Sequence, residues 1–170
     1  GRYTVQVREQ VDATVFTPES SVDTPLADYL GRHGKGLRVG IDPWLHTIGE
    51  AEALGRALSE AGGELVPLAY NPLDRVWQDR PLPPTGAVRV QDARHAGQDP
   101  GAKLAALGEA LGAAKADAAV LTDPSSVAWT FNIRGSDVPH TPLPLSFAIL
   151  EREVRSALFI DPRKLGAEAR

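Results

Sequence analysis

Asp-Pro occurs four times in this chain, at Asp42-Pro43, Asp99-Pro100, Asp123-Pro124 and Asp161-Pro162, and Thr24-Pro25 and Asn71-Pro72 are its relatives. A short polar side chain accepts from the free N–H groups of a helix's first turn. Proline at the first helical position lacks the N–H that would otherwise go unpaired. Each step therefore marks a helix start. Thr47 with Glu50 matches a capping box, and behind it Ala51, Leu54, Leu58 and Ala61 recur at helical spacing until Gly62-Gly63. A second long helix is predicted after Asp99, with Leu104, Leu107, Leu111 and Ala114 on its buried face. Shorter helices are predicted over 25–30, 72–78, 124–131 and 162–169.

Between these starts lie apolar runs of strand length, at 37–41, 64–69, 87–90, 118–122, 146–151 and 156–160. Strands alternating with helices favour crossover connections and parallel pairing. The last two strands are separated only by 152–155 and are expected to form an antiparallel hairpin. The predicted fold is α/β: a mixed, mostly parallel sheet with helices on both faces and a C-terminal antiparallel hairpin. The proline-rich stretch 81–85 is read as a stiff connector within that domain. Residues before about 24 stand apart, 3–11 fitting either a helix or a strand and 18–24 a linker.

Composition narrows the function classes. The chain has 170 residues, room for one domain or one domain with a fragment of another. The absence of cysteine excludes a disulfide framework, a thiolate metal site and a thiol nucleophile. With no methionine and Gly1 in first place, the chain is expected to be a piece of a longer protein. The net charge of −4 includes no basic block, which argues against nucleic acid as a partner. No apolar run nears the ~20 residues that cross a bilayer, so no membrane is expected, and the composition suits the cytoplasm.

Complete catalytic motifs are missing. His33, His46, His95 and His140 are scattered, and none is spaced from another histidine or a glutamate so that a helix would converge them on a metal. The stretch from Gly97 to Lys103 resembles a phosphate loop but is one residue short, with no Ser or Thr after the lysine. Ser136 lacks the G-x-S-x-G frame, which weakens a hydrolase built on it.

Two segments carry unusual density. One holds Trp129, Asn132, Arg134, Ser136 and Asp137. It has a structural reading, in which Arg134 pairs with Asp137, Gly135 supplies positive φ and Ser136 caps a turn. In its functional reading Arg134 projects toward an anionic group such as a peptide carboxylate or an acidic residue of a neighbouring domain. Trp129 suits either a core or the rim of a cleft. The other segment places Trp77 and Arg80 among Asp74 and Asp79, either as a buried tryptophan with surface ion pairs or as a docking surface.

Together these segments resemble the Xaa-Pro aminopeptidases of the long, three-domain type (aminopeptidase P). GRYTVQ at 1–6 is similar to the tail of that family's first domain, and VGIDP at 39–43 to the strand end that opens the second. NPLDRVWQDRP at 71–81, AWTFNIRGSD at 128–137 and ALFID at 157–161 resemble further segments of the second domain, in the family's order. The chain departs from the pattern at Pro124-Ser125-Ser126, where the family more often carries an acidic residue, and that stretch is given no role. The resemblance implies a creatinase-N-like middle domain over 24–170, with 1–23 the remnant of the preceding domain and its linker. It implies a parent chain that removes the N-terminal residue ahead of proline, using two divalent metal ions, usually manganese, in a catalytic pita-bread domain absent here. The implied partners are the first and catalytic domains of the same chain, a second copy in a homodimer, and peptides with proline second. By the same resemblance Trp129, Asn132, Arg134, Ser136 and Asp137 would shape the cleft or the dimer, with Trp77 and Arg80 as further candidates. No catalytic residue is implied for this chain. The competing reading is a free-standing α/β domain that binds a small molecule or another protein.

Overall fold

The computed structural model describes residues 2–153 and 155–169. Gly1, where the first-domain resemblance begins, Val154 of the expected hairpin turn, and Arg170 lie outside the described residues. The chain divides into two compact units, Gly1–Arg80 and Pro81–Arg170. Their junction falls at the start of the 81–85 connector, which the sequence suggested was internal to one domain.

In the first unit the ambiguous N-terminal stretch is a helix, α1 (Arg2–Gln10), on which Tyr3 and Val5 are exposed. Helix α2 (Leu26–His33) packs on α3 (Ile48–Ala61), and α3 is the crossover between strands β1 (Arg38–Ile41) and β2 (Glu64–Pro67), which pair in parallel. The capping box forms: Thr47 Oγ1 accepts from Glu50 N–H at 3.2 Å, and Glu50 Oε2 accepts from Thr47 N–H at 2.8 Å. Gly62 ends the helix at φ +82°, a conformation that glycine adopts without steric penalty. Leu54 and Leu58 are buried as their spacing predicts, with Leu30 of α2, against Val39, Ile41 and Leu65 of the strands. Asn71 caps helix α4 (Pro72–Val76) through Oδ1, while its Nδ2 donates to Asp42 Oδ2 at 2.9 Å, tying together two of the Asx-Pro steps. Thr24-Pro25 departs from the pattern. Pro25 is itself the N-cap of α2, with no side-chain cap.

The second unit contains β3 (Arg89–Val90), α5 (Ala93–Ala96), α6 (Pro100–Ala113), β4 (Ala118–Leu121), α7 (Pro124–Thr130), β5 (Ile133–Arg134), β6 (Phe147–Glu151) and β7 (Ser156–Phe159). All four Asp-Pro aspartates of the chain accept from a backbone N–H of the turn they open. Strands β4, β6 and β7 form an antiparallel sheet, and β3 pairs antiparallel with β5. The expected hairpin is present as β6–β7.

The α/β class holds, but the strands are spread over three small sheets, and only β1–β2 is parallel. The expectation of mostly parallel pairing fails after β4. Helix α7 has seven residues, and the chain then turns aside into β5 rather than completing a crossover, so β6 returns against β4. Helices α6 and α7 pack against one face of the β4–β6–β7 sheet. On that face Ala148, Leu150 and Val127 are buried against Leu104, Leu107 and Leu111 of α6. On the other, Val120, Phe147 and Phe159 are about half exposed or more. Ala114, expected on the buried face, is the exposed C-cap of α6, and the deepest positions on the helix are Lys103 and Gly108. A Cβ at Gly108 would come within 2.7 Å of the Arg152 carbonyl oxygen, so helix and hairpin backbones meet there. The predicted 162–169 helix is two 3-10 turns, Pro162–Lys164 and Ala167–Ala169.

Candidate functional site

Helix α7 sets the start of the site. Asp123 accepts from the N–H and the hydroxyl of Ser126, each at 2.8 Å, and these bonds hold its carboxyl below the usual carboxylate range. The helix carries Val127 and Ala128 into the core, and Trp129, one position on, is 50% exposed. An apolar depression of about 380 Å³, lined by Leu107, Leu121, Ser125, Ser126, Trp129, Thr130 and Leu150, lies beside the indole.

The chain leaves α7 through Asn132, whose φ of +50° is left-handed, a region that asparagine enters more readily than most residues. Asn132 is 2% exposed, and its polar atoms are engaged inside the unit. Its Nδ2 donates to the Gln98 carbonyl at 2.8 Å, and its Oδ1 accepts from Lys103 Nζ at 2.6 Å. Lys103, also 2% exposed, donates in addition to the Trp129 carbonyl at 2.8 Å, and its Nζ lies 4.3 Å from the centroid of the Trp129 ring. A buried ammonium must be compensated. Here the compensation comes from a carbonyl, an amide oxygen and an aromatic face, which together fix the Trp129 backbone and support one side of its ring.

Asp137 closes the segment from within. Its Oδ2 accepts from Lys164 Nζ at 2.6 Å and from Leu145 N–H at 2.7 Å, and its Oδ1 from Gly86 N–H at 3.2 Å. The side chains of Asp137 and Lys164 are 0% and 5% exposed. The structural reading that paired Arg134 with Asp137 is therefore corrected: Lys164, which is also buried, holds the carboxylate. Gly135 does not supply positive φ either; instead, a Cβ there would lie 2.7 Å from the Pro144 nitrogen.

Arg134 is half-buried, and Nη1 donates to the Ala128 carbonyl at 3.3 Å and the Ile133 carbonyl at 2.8 Å. Among the described residues no carboxylate pairs with it. Ser136 is exposed. The segment thus offers Trp129, Arg134 and Ser136 outward, while Asn132 and Asp137 anchor it.

Trp77 and Arg80 belong to the first unit and make a cluster of their own. Arg80 pairs with Asp74, and its guanidinium lies 6.0 Å from the Trp77 ring centroid. Trp77 is half exposed, so this is not the buried tryptophan of the structural reading.

Sequence reasoning weighed Lys103 only as the end of an incomplete phosphate loop and passed over Lys164. A signal for Lys103 was available, because it precedes Leu104 by one position and Leu107 by four, placing it on the apolar side of α6. Lys164 carried no such signal. Among the described residues, no group of three His, Asp or Glu side chains could hold a metal ion, and no helix is long and apolar enough to cross a membrane.

Comparison with known proteins places these features in context. The family model described as the creatinase/prolidase N-terminal domain matches residues 79–170. Aminopeptidase P2 of Arabidopsis thaliana is 34% identical over 178 residues, a match spanning 100% of this chain and 24% of that protein. A probable Xaa-Pro aminopeptidase P of Arthroderma gypseum is 34% identical across 100% of the chain and 27% of its own length. The crystal structure of the X-prolyl aminopeptidase of Caenorhabditis elegans, described as a cytosolic enzyme with a di-nuclear active site, superposes with a TM-score of 0.89 at 33% identity. That superposition covers 100% of this chain and 28% of the other. The chain spans about a quarter of the length of these relatives.

Proposed function

This chain belongs to the creatinase/prolidase N-terminal domain family, and we propose that it is a non-catalytic middle domain of a larger Xaa-Pro aminopeptidase. The observation that carries this reading is similarity along 100% of the chain to proteins of which it covers only 24–28%. Residues 1–23 then belong to the end of a preceding domain and its linker, and 24–170 to the middle domain. The bond-breaking chemistry resides in a catalytic domain beyond this chain, where two divalent ions, manganese by resemblance, would activate water against the X–Pro carbonyl. The described residues offer no ligand set for those ions, so no step through a metal is assigned here.

The part taken by this chain is to shape access to the cleft and to support a homodimer in the cytoplasm. Trp129 supplies a rigid apolar plate and Arg134 a cation, two side chains favoured where proteins meet their partners or substrates. Asn132 and Asp137 hold that pair in place, and Ser136 adds an outward hydroxyl. Trp77 and Arg80 are proposed as a separate contact with a neighbouring domain. A free-standing α/β binding domain is not favoured, because the similarity runs through the whole chain rather than through one motif.

In the full-length protein, Arg134→Ala is expected to lower kcat/KM for an X–Pro tripeptide or to weaken the dimer in sedimentation. The same change should move the melting temperature of the 170-residue chain little. Unchanged kinetics together with unchanged assembly would sink this reading.

A further inference from the structure

We infer that Arg89 and Arg134 form a carboxylate-binding clamp across the β3–β5 ribbon. The two arginines stand directly opposite one another in its antiparallel register. Opposed residues project from the same face with Cβ atoms about 4.5–5.5 Å apart, and like charges so placed destabilise a ribbon. This ribbon has only two residue pairs, Arg89↔Arg134 and Val90↔Ile133, so it has few other contacts to offset the repulsion. An anion held between the two guanidinium groups would reverse the sign of that interaction.

No acidic side chain among the described residues does so. Asp92 is paired with Arg94 at 3.3 Å and Asp137 with Lys164 at 2.6 Å. Glu168 lies in the 3-10 turn that packs against β3, yet it makes no ion pair with either arginine. The Arg89 side chain is exposed and makes no hydrogen bond or ion pair among the described residues. Arg134 is different, and the difference helps. Both of its bonds, to the Ala128 and Ile133 carbonyls, go through Nη1. The group is therefore held in place while its Nε–Nη2 edge keeps donors in the fixed planar fork that matches two carboxylate oxygens. A pre-organised guanidinium loses less freedom on binding than a free one. Arg89 closes the other side.

The ligand class is a carboxylate of peptide chemistry, either a free C-terminus or an Asp or Glu side chain. This rests on reading Arg134 as the outward-facing cation of the 129–137 segment, and not on which reaction the longer protein performs.

The test uses the 170-residue chain and NMR of the arginine Nε–Hε groups, assigned with Arg89→Lys and Arg134→Lys. The probes are N-acetyl-dialanine, N-acetyl-glutamic acid α-amide, N-acetyl-dialanine amide and inorganic phosphate. Saturable shifts at both arginines are expected with one or both acids and not with the amide, and the stronger of the two acids identifies the source. Arg89→Gln and Arg134→Lys should each weaken binding about three- to five-fold, the scale of a solvent-accessible ion pair. Arg56→Gln, which removes an exposed arginine on α3, should leave it unchanged. Equal shifts with acid and amide, a response at only one arginine, or tighter binding of phosphate would overturn the clamp. If no acid binds while Arg134→Ala still impairs the full-length protein, the clamp is wrong and the cleft reading stands.

Discussion

Asp137→Ala is expected to destabilise the Pro81–Arg170 unit by about 3–5 kcal/mol, the range for removing one partner of a buried ion pair. The carboxylate is 0% exposed and Lys164 5%, so the change strands an ammonium whose remaining bond is to the Leu145 carbonyl at 3.4 Å. The N–H groups of Gly86 and Leu145 lose their acceptor as well. A bond left unmade at the part-buried Gly86 N–H adds to this cost, whereas the N–H of exposed Leu145 can turn to water. For a domain of this size each kcal/mol moves the melting temperature by about 4–8 °C, so a fall of at least roughly 12 °C should be seen. Trp129 is the sole tryptophan of this unit, and with Trp44 and Trp77 replaced by phenylalanine its fluorescence reports the unit's unfolding in urea. The double variant Asp137→Leu with Lys164→Met removes both charges and should recover most of the loss, since an apolar pair of similar volume often replaces a buried ion pair without penalty. A cost below about 1 kcal/mol for Asp137→Ala would refute this account. So would a double variant no more stable than the sum of its single changes, because it would show that the two groups are not coupled.

Lys103→Met keeps the aliphatic stem but removes the donor shared by Asn132 and the Trp129 carbonyl. It should cost about 2–3 kcal/mol and shift the Trp129 emission, and an unaltered spectrum at unaltered stability would contradict the role given to this lysine. Asp161 is held at a pKa of about 2, first by the hydrogen bond from the Arg163 side chain and then by that from its N–H. Because the folded value is depressed, the stabilisation of this 3-10 turn is complete above the ordinary value near 3.8 and is lost as pH falls through about 2. NMR titration of the carboxyl carbon should give that midpoint and a rise toward 3.8 in Arg163→Ala, and no rise would remove the guanidinium as the cause.

The helix starts were legible because they are local. An aspartate ahead of proline needs only the next turn to act as a cap, and every Asp-Pro step does so. The apolar spacing of Leu54 and Leu58 was equally sufficient to place the buried side of α3. Strand direction was not legible, because it depends on where a connection returns. The two turns of α7 and the diversion into β5 reverse β6 against β4, although nothing in the β6 sequence encodes a direction. Strand β5 itself is two residues long and exists through pairing with Arg89 and Val90, more than forty positions away. No periodicity can announce a strand that short.

The polar cluster of the 129–137 segment was visible as a cluster, but its division of labour was not, because that division is decided by side chains distant in sequence. Sequence proximity suggested Arg134 and Asp137 as partners. Two lysines decide otherwise. A primary ammonium is compact enough to be enclosed by a few acceptors, whereas a guanidinium needs five to be satisfied. Lys164 therefore takes the Asp137 carboxylate into the interior, and Lys103 takes the Asn132 oxygen. Arg134 is left half-buried with two backbone carbonyls for five donors. The burial of one carboxylate with a lysine is thus what leaves an arginine facing outward without a counter-ion, and on that imbalance rests the assignment of an external partner to this face.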